Sequence, residues 1–570
     1  MPDSAELRKA VNDAIELAIS ESGYPEAGLP NTPLRLTVVS ALAEGADRVV
    51  AKEVLERKGS NLVCVLPVAQ ENLQVYRDDF PSADSQQEFD QLLADAWQQL
   101  YLPPEIKVPR DATQEQRADG YLWAGKEVVR NSDVLIAIWD GQPSRGVGGT
   151  ADLIRWMRQR DAGRSEPSPT SPQGPARRAL SSALLGPPAA DEAVLAAPGP
   201  LRIIVSPKPV HDPTVDEGPL WDAAAAAVRE RLRGDLKGLD EFNRKGVKDW
   251  ERSAEQTMND LAPARYRQYP RLDGILKQIT PHLNRADQAA IIAQRGFVSW
   301  AYILFGCTAL ATVIAALQAV VFPGLWELTI VELALIIASV AIVRFESVWK
   351  NNNKHWFVYR FLAERLRTTF YLLAVGGSPE TDFDVGGTSE EPARNDWVQR
   401  AFMAVLAEGA LKQEEPPEGP ETLSSLIREY WMGGQIKYFE RTSKKLMRRH
   451  HAVRKLVSCV LGATIVAAVL HSLRIWPFHS GDTQALIMCA IGLPAVVAAL
   501  SNVRSLREYA RHSFRYARMA AVLHRYLEKF DDEPDIKDLR QLAVEVSALL
   551  TAETNGWLLE VSAQSLEDHT

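Results

Sequence analysis

Cysteine is nearly absent from this chain. Four residues in 570, Cys64, Cys307, Cys459 and Cys489, have no paired spacing, so neither a disulfide framework nor a cysteine zinc site is indicated. Histidine is also scarce, at ten residues. His450 and His451 stand inside a run of cations and read as flank charge, not as metal ligands. The N-terminus, MPDSAELRKA, lacks an apolar segment, so no cleavable signal is expected ahead of the first domain. The most informative absence is of charge: Phe297 to Trp326 contains none, and neither does Thr483 to Val503.

Four apolar segments follow from that gap. They are Phe297–Trp326, Leu325–Val343 (interrupted by Glu327 and Glu332), Leu456–Leu473 and Thr483–Val503. A bilayer core takes about 20 apolar residues as a helix, and buried core helices rarely stay apolar all round for that length. The expectation is four transmembrane helices in two hairpins behind a water-soluble first half, and the lipid bilayer is the first expected partner. A mean hydropathy of -0.16 averages the two halves. The net charge of -9 conceals a second asymmetry. Lys437, Arg441, Lys444, Lys445, Arg448, Arg449, Arg454 and Lys455 precede the third segment. Arg344, Lys350, Lys354 and Arg360 follow the second, and Arg504, Arg507, Arg511 and Arg515 follow the fourth. The hairpin turns carry only Arg474. Short-loop Lys/Arg bias puts the cation-rich sides in the cytoplasm. The expected location is thus the inner (plasma) membrane, multi-pass, with both termini cytoplasmic. The basic run reads as a solvated or headgroup-facing flank, and no nucleic acid is expected as partner.

The first half reads as a Rossmann-like α/β domain. LRLTVVS (Leu34–Ser40), LVCVLP (Leu62–Pro67), VLIAIW (Val134–Trp139) and LRIIVS (Leu201–Ser206) are strand-like runs. Helical stretches alternate with them at Gly45–Lys58, Ser85–Leu100, Gly120–Arg130 and Thr150–Arg160. Continuous apolar strands between helices predict a parallel sheet covered on both faces. The expected organisation is a ligand-binding domain over 1–165, a Pro/Ser/Ala-rich disordered insertion over 166–200 and a last strand over 201–213. A helical connector over 214–290 and a two-span hairpin with a trailing helix over 291–375 come next. A bridge over 376–430, a second hairpin over 431–531 and a tail over 532–570 complete the chain. The hairpins look duplicated: WFVYRFLAERLRTTFYLLAVGG after the second span parallels EYARHSFRYARMAAVLHRYLEKF after the fourth.

Ligands in open α/β sheets sit beyond the carboxyl ends of the strands, and both unusual loops fall there. After Ser40 the chain turns through Glu44 and starts a helix at Gly45–Ala46, with Asp47 and Arg48 placed for ribose or phosphate. After Trp139, Asp140-Gly141 leads through Gly146, Gly148 and Gly149 to a second helix start at Thr150. Two such termini at one crevice suit a nucleotide. Either loop alone could serve only to close a helix onto a strand, but the two together at strand ends favour ligand binding over a purely structural role.

These segments resemble the SLOG domain, the sensor branch of the Rossmann-like superfamily that contains DprA and the LOG nucleotide hydrolases. The resemblance rests on SALAEGADRVVA, YRDDF (Tyr76–Phe80), SDVLIAIWDG and GVGGTADLI. The membrane half is similar in layout to SLATT two-span modules, which accompany such sensors in bacterial conflict and antiphage systems. The resemblance implies a nucleotide or NAD-derived ligand in the crevice. It also implies a membrane effector that forms homo-oligomers and permeabilises.

LOG hydrolases follow GGxGT with a Glu three residues later and place an Arg on the preceding helix. Here Thr150 is followed by Ala151-Asp152-Leu153, and the Arg neighbourhood holds Ala124 and Gly125, with Lys126 the nearest cation. Cleaving an N-glycosidic bond needs a poised carboxylate. Binding is therefore expected over turnover, with Asp140 and Asp152 the remaining catalytic candidates and Asp140 also read as an Asx-turn residue. Within the spans, Glu332 either lines a pore or meets solvent near the outer interface with Glu327, and Pro494 is expected to kink the fourth span. The leading reading is a nucleotide-signal-gated membrane effector. The alternative is a membrane-tethered nucleotide or NAD hydrolase.

Overall fold

The computed structural model describes residues 4–25, 28–103, 114–140, 142, 149–161, 201–205, 214–215, 221–246, 250–345, 352–377, 396–408, 416–473, 480–528 and 535–562. The 166–200 insertion, Gly141, Gly146, Gly148 and residues 474–479 lie outside the described residues. The chain divides into two compact units. One is Met1–Arg244 with Gln399–Lys412, and the other is Lys245–Val398 with Gln413–Thr570. Trp221–Arg244, expected to belong to a connector, thus falls in the first unit.

The first unit opens with α1 (Ala5–Glu21), whose N-cap Ser4 accepts the Leu7 N–H at 3.2 Å. Leu7, Val11, Ala14 and Ile15 form its buried stripe. β1 (Thr37–Ser40), α2 (Ala46–Leu55), β2 (Asn61–Leu66), α3 (Leu73–Asp78), α4 (Ala83–Asp95) and β3 (Gln98–Tyr101) follow. The three strands make a parallel sheet with β2 central, Val38 paired with Leu62 and Val63 with Gln98. Five successive residues of β2, Leu62–Leu66, are buried, as a strand covered on both faces requires. The helix read over Ser85–Leu100 is corrected here. It stops at Asp95, Ala96 turns extended, and the Trp97 N–H donates to the Leu62 carbonyl at 3.0 Å, which draws Gln98–Tyr101 onto β2.

A second three-stranded sheet contains β4 (Val134–Ile138), β5 (Leu201–Val205) and β6 (Thr214–Val215). β4 and β5 are parallel, and β6 is antiparallel. The expected single parallel sheet is therefore two sheets with one reversed edge. They share a core nonetheless: Ile136 and Ile138 pack against the cluster around Val38, Leu62 and Leu66, and Ala14 of α1 packs on Ile203 and Val205. Around them stand α5 (Gln114–Arg130), α6 (Thr150–Asp161) and α7 (Trp221–Arg244).

The second unit is helical. It holds α8 (Trp250–Leu261), α9 (Pro270–Val320), α10 (Glu327–Arg344) and α11 (Asn352–Ala374). Past α12 (Asp396–Glu408) come α13 (Pro420–Ser425), α14 (Gly433–Ser472), α15 (Ser480–Arg507), α16 (Tyr509–Glu528) and α17 (Ile536–Ser562). α9 packs on α10 and α11, and α14 packs on α15 and α16, so one three-helix layout occurs twice. Among the described residues three helices, Pro270–Val320, Pro420–Ser472 and Gln484–Glu528, are long and apolar enough to cross a membrane. In their most apolar stretches only 22%, 6% and 6% of residues are buried. Such faces suit lipid rather than water. α10, the second of the four expected spans, has 18 residues and carries Glu327, Glu332 and Arg344. Pro494 lies inside α15.

Leu426–Met432, between α13 and α14, winds as a π-helix. Arg265 reaches Glu429 at 2.8 Å, the Tyr266 hydroxyl lies 2.9 Å from that of Ser425, and Trp431 stacks on Tyr371 at 4.9 Å.

Candidate functional site

The first loop is built by strain and burial together. Leu42, fully buried, has φ +56°, a conformation uncommon for a side chain of its size, and its N–H donates to Ser40 Oγ at 3.0 Å. Gly45, the N-cap of α2, has φ +98°, which a residue with a Cβ rarely adopts. Tyr76 of the YRDDF motif seals the loop from below, its hydroxyl donating to the Ala41 carbonyl at 3.0 Å.

Ser40 and Asp47 converge, with Ser40 Oγ 3.4 Å from Asp47 Oδ2. Burial raises the Asp47 carboxyl above its usual range despite hydrogen bonds from the Ala43 amide and Ser40. Burial likewise pushes up the Cys64 thiol and the Tyr76 phenol, and the Asp47 charge adds to both. Glu44 is exposed, and Ala46 begins the helix. With Asp47 in the first turn of α2, the positive helix end already faces a carboxylate. This loop therefore offers an acceptor to a ligand hydroxyl more readily than a seat to a phosphate.

Arg48 is turned inward and only 2% exposed. Its Nε donates to the Leu42 carbonyl at 3.0 Å, and Nη1 reaches the Ser85 carbonyl and Glu88 at 2.8 and 2.9 Å. The guanidinium also lies 4.3 Å from the centre of the Phe80 ring. A ligand at the surface of this loop therefore meets the part-exposed Asp47 before Ser40 or Arg48, both of which are buried.

At the second loop, Asp140 is exposed and its Oδ1 accepts the Gln142 N–H at 3.0 Å, the Asx arrangement. Gly149 supplies the carbonyl that begins α6, accepting from Asp152 and Leu153 at 2.9 and 3.1 Å, and Thr150 is exposed at the first helical position. Asp152 pairs with Arg155 one turn on, at 3.2 Å. Gly141, Gly146 and Gly148, the rest of this candidate set, lie outside the described residues.

The neighbourhood where the resemblance would place an arginine is occupied by Leu153: Ala124 is buried, and a Cβ on Gly125 would lie 2.8 Å from Leu153 Cδ1, so a larger side chain there would have to displace that leucine tip.

Two clusters were not anticipated. Asp79, also of YRDDF, holds Arg117 at 2.6 Å and the Tyr121 hydroxyl at 3.0 Å, tying α5 to the end of α3. Burial and the Asp79 charge raise the Tyr121 phenol. Arg400 clips the returning segment Gln399–Lys412 to the first unit, its Nη2 meeting Asp133 Oδ1 at 2.6 Å and its Nε lying 3.5 Å from Asp235. Against the pull of burial, the Arg400 charge holds the Asp133 carboxyl below its usual range. The YRDDF run was the available signal for the first. The second pairs residues far apart in sequence and left none.

Among the described residues no group of three His, Cys, Asp or Glu side chains could hold a metal ion. Compared with known protein families, curated proteins and solved structures, the chain matches none.

Proposed function

We propose that the chain is a membrane-embedded effector gated by a small nucleotide or NAD-derived signal, with the α/β unit as sensor and the apolar helices as output. The supporting observation is the make-up of the strand-end loops. A strained turn holds Ser40 against the part-exposed Asp47, while Asp140 and Asp152 are taken up by an Asx turn and an i,i+3 pair. The position where the resemblance would place an arginine holds Gly125, packed against the Leu153 side chain. Neither Asp140 nor Asp152 is poised to cleave, and Asp47, whose carboxyl burial raises, is the one acid this reading leaves facing the ligand. Asp47 would accept from a ribose hydroxyl, and the N–H groups opening α6 at Thr150 would face the phosphate.

In this reading four spans in two hairpins cross the inner membrane with both termini in the cytoplasm, and α10 spans as a short, acid-bearing member. Homo-oligomerisation and a role in bacterial antiphage defence follow from the SLOG and SLATT resemblance. Gating requires that the ligand favour one arrangement of the helices, since equal affinity for two states shifts neither.

The test uses the full chain in phosphatidylcholine vesicles, titrated with NAD and nucleoside monophosphates. Thermal stability, membrane potential and released base are measured together. One compound should raise the melting temperature and collapse the potential without base release. The Gly149→Leu variant should lose both responses by at least tenfold in ligand concentration, because its side chain fills the phosphate space. Release of free base would replace this reading with the tethered hydrolase. Unchanged affinity in Gly149→Leu would move the site elsewhere.

A further inference from the structure

We infer that the stretch of α14 ahead of its apolar segment is a binding surface for anionic phospholipid headgroups. Arg441, Lys444, Lys445, Arg448 and Arg449 line one shallow groove. Their spacing of three, four, seven and eight residues sets them on one face of the helix. From Arg441 to Arg449 every exposed residue is one of these five cations, while Thr442, Ser443, Leu446 and Met447 are all partly covered. The opposite face is occupied: Ser443 bonds to Ser513 at 2.9 Å and Phe439 stacks on Tyr516 of α16. The cationic stripe therefore points away from its helical partners.

Like charges this dense repel one another, and carboxylates usually relieve the strain. Among the described residues little relief exists here: Lys444 lies 4.0 Å from Glu440, and Glu440 also meets His524 at 3.2 Å. A multivalent anionic surface supplies what the fold leaves out.

The position of the stripe selects lipid. This step rests on the membrane-spanning reading. The apolar segment of α14 starts at Leu456, so Arg449 lies about 10 Å and Arg441 about 22 Å outside the hydrocarbon edge. The headgroup layer is roughly 5–7 Å deep per leaflet. Long cationic side chains bridge most of the difference, and the outermost residues stay within about a Debye length of the headgroup charges. Juxtamembrane clusters of this size attract phosphate-bearing lipids.

The experiment compares the full chain in vesicles of phosphatidylcholine alone, of phosphatidylcholine with phosphatidylglycerol, and of phosphatidylcholine with added inorganic pyrophosphate. Flotation with the vesicles is checked first, then thermal unfolding. The phosphatidylglycerol vesicles should raise the melting temperature by roughly 5 °C over phosphatidylcholine. K444Q/K445Q/R448Q should lose most of that gain while melting normally in phosphatidylcholine, since these side chains are exposed. K444R/K445R should retain it. So should R518Q/R525Q, which removes exposed cations of α16 away from the stripe. Equal melting in both lipids, a full gain in the triple variant, or the same loss in R518Q/R525Q overturns the inference. A gain reproduced by pyrophosphate assigns the groove to a soluble phosphate and also overturns it. A chain that fails to float sinks the membrane reading and this one with it.

Discussion

The two hairpins share a layout and differ in how their trailing helices are anchored. α11 is gripped on nearly every side. Phe357, Phe361, Leu366, Phe370 and Tyr371 are at most 2% exposed, and Arg271 donates to the Leu373 and Ala374 carbonyls at its C-terminus. Its charges are matched as well: Glu364 lies 2.7 Å from Arg360 and 2.6 Å from Arg367, which also holds Asp287 of α9 at 2.8 Å. α16 buries a narrower stripe, Tyr509, Ser513, Met519, Ala520 and Leu523, and leaves Phe514 67% exposed. The same repeat thus provides one fixed helix and one half-open helix. Movement on a shared plan should start in the second, where less apolar surface must be uncovered.

The largest break in that comparison is Phe370→Ala. Removing a fully buried ring should cost the helical unit about 3–5 kcal/mol in denaturant melts of the detergent-solubilised chain. A loss below about 1 kcal/mol would mean that α11 is not the fixed member. Next is Arg367→Met, which leaves Glu364 and Asp287 without a shared cation. About 2–3 kcal/mol should be lost, and Glu364→Gln in the same chain should restore part of it.

The charge cluster also predicts a pH response. Burial pushes the Glu364 carboxyl up, but the Arg367 and Arg360 guanidiniums outweigh it and hold its pKa below the ordinary 4.5. Its folded pKa being depressed, Glu364 stabilises the fold fully above pH 4.5, and that contribution disappears as pH falls through the folded value. Melts from neutral pH downward should steepen in acid, and Glu364→Gln should flatten that limb. Asp260, raised by burial against the opposing Arg367 charge, acts with the opposite sign and weakens the fold as pH rises through its own folded value. The smallest effect belongs to Phe514→Ala, expected within about 0.5 kcal/mol of the parent. A larger loss would show that something covers this face of α16.

Much of this arrangement was legible where a residue's role depends on near neighbours. Charge-free runs marked the membrane-length helices, and apolar runs marked β1, β2, β4 and β5. The edge strand Gln98–Tyr101 escaped because QQLY continues the pattern of the helix before it; only the partner strand reveals it. Arg48 read as a surface cation beside a turn. Its inward position depends on Phe80, Ser85 and Glu88, which are more than thirty residues away. The Arg400 clip onto Asp133 has a still longer reach. The first strand-end loop was legible as a loop, but not the strain at Leu42, which arises from packing.

The π-wound segment Leu426–Met432 carries a consequence for the helix it opens. A π-turn holds one more residue than an α-turn. Retightening it would screw the whole of α14 by about 100° and 1.5 Å. The facing of the membrane-length stretch in α14 is therefore set at a joint roughly 36 Å from its apolar start, where Arg265, Tyr266 and Tyr371 grip the thread.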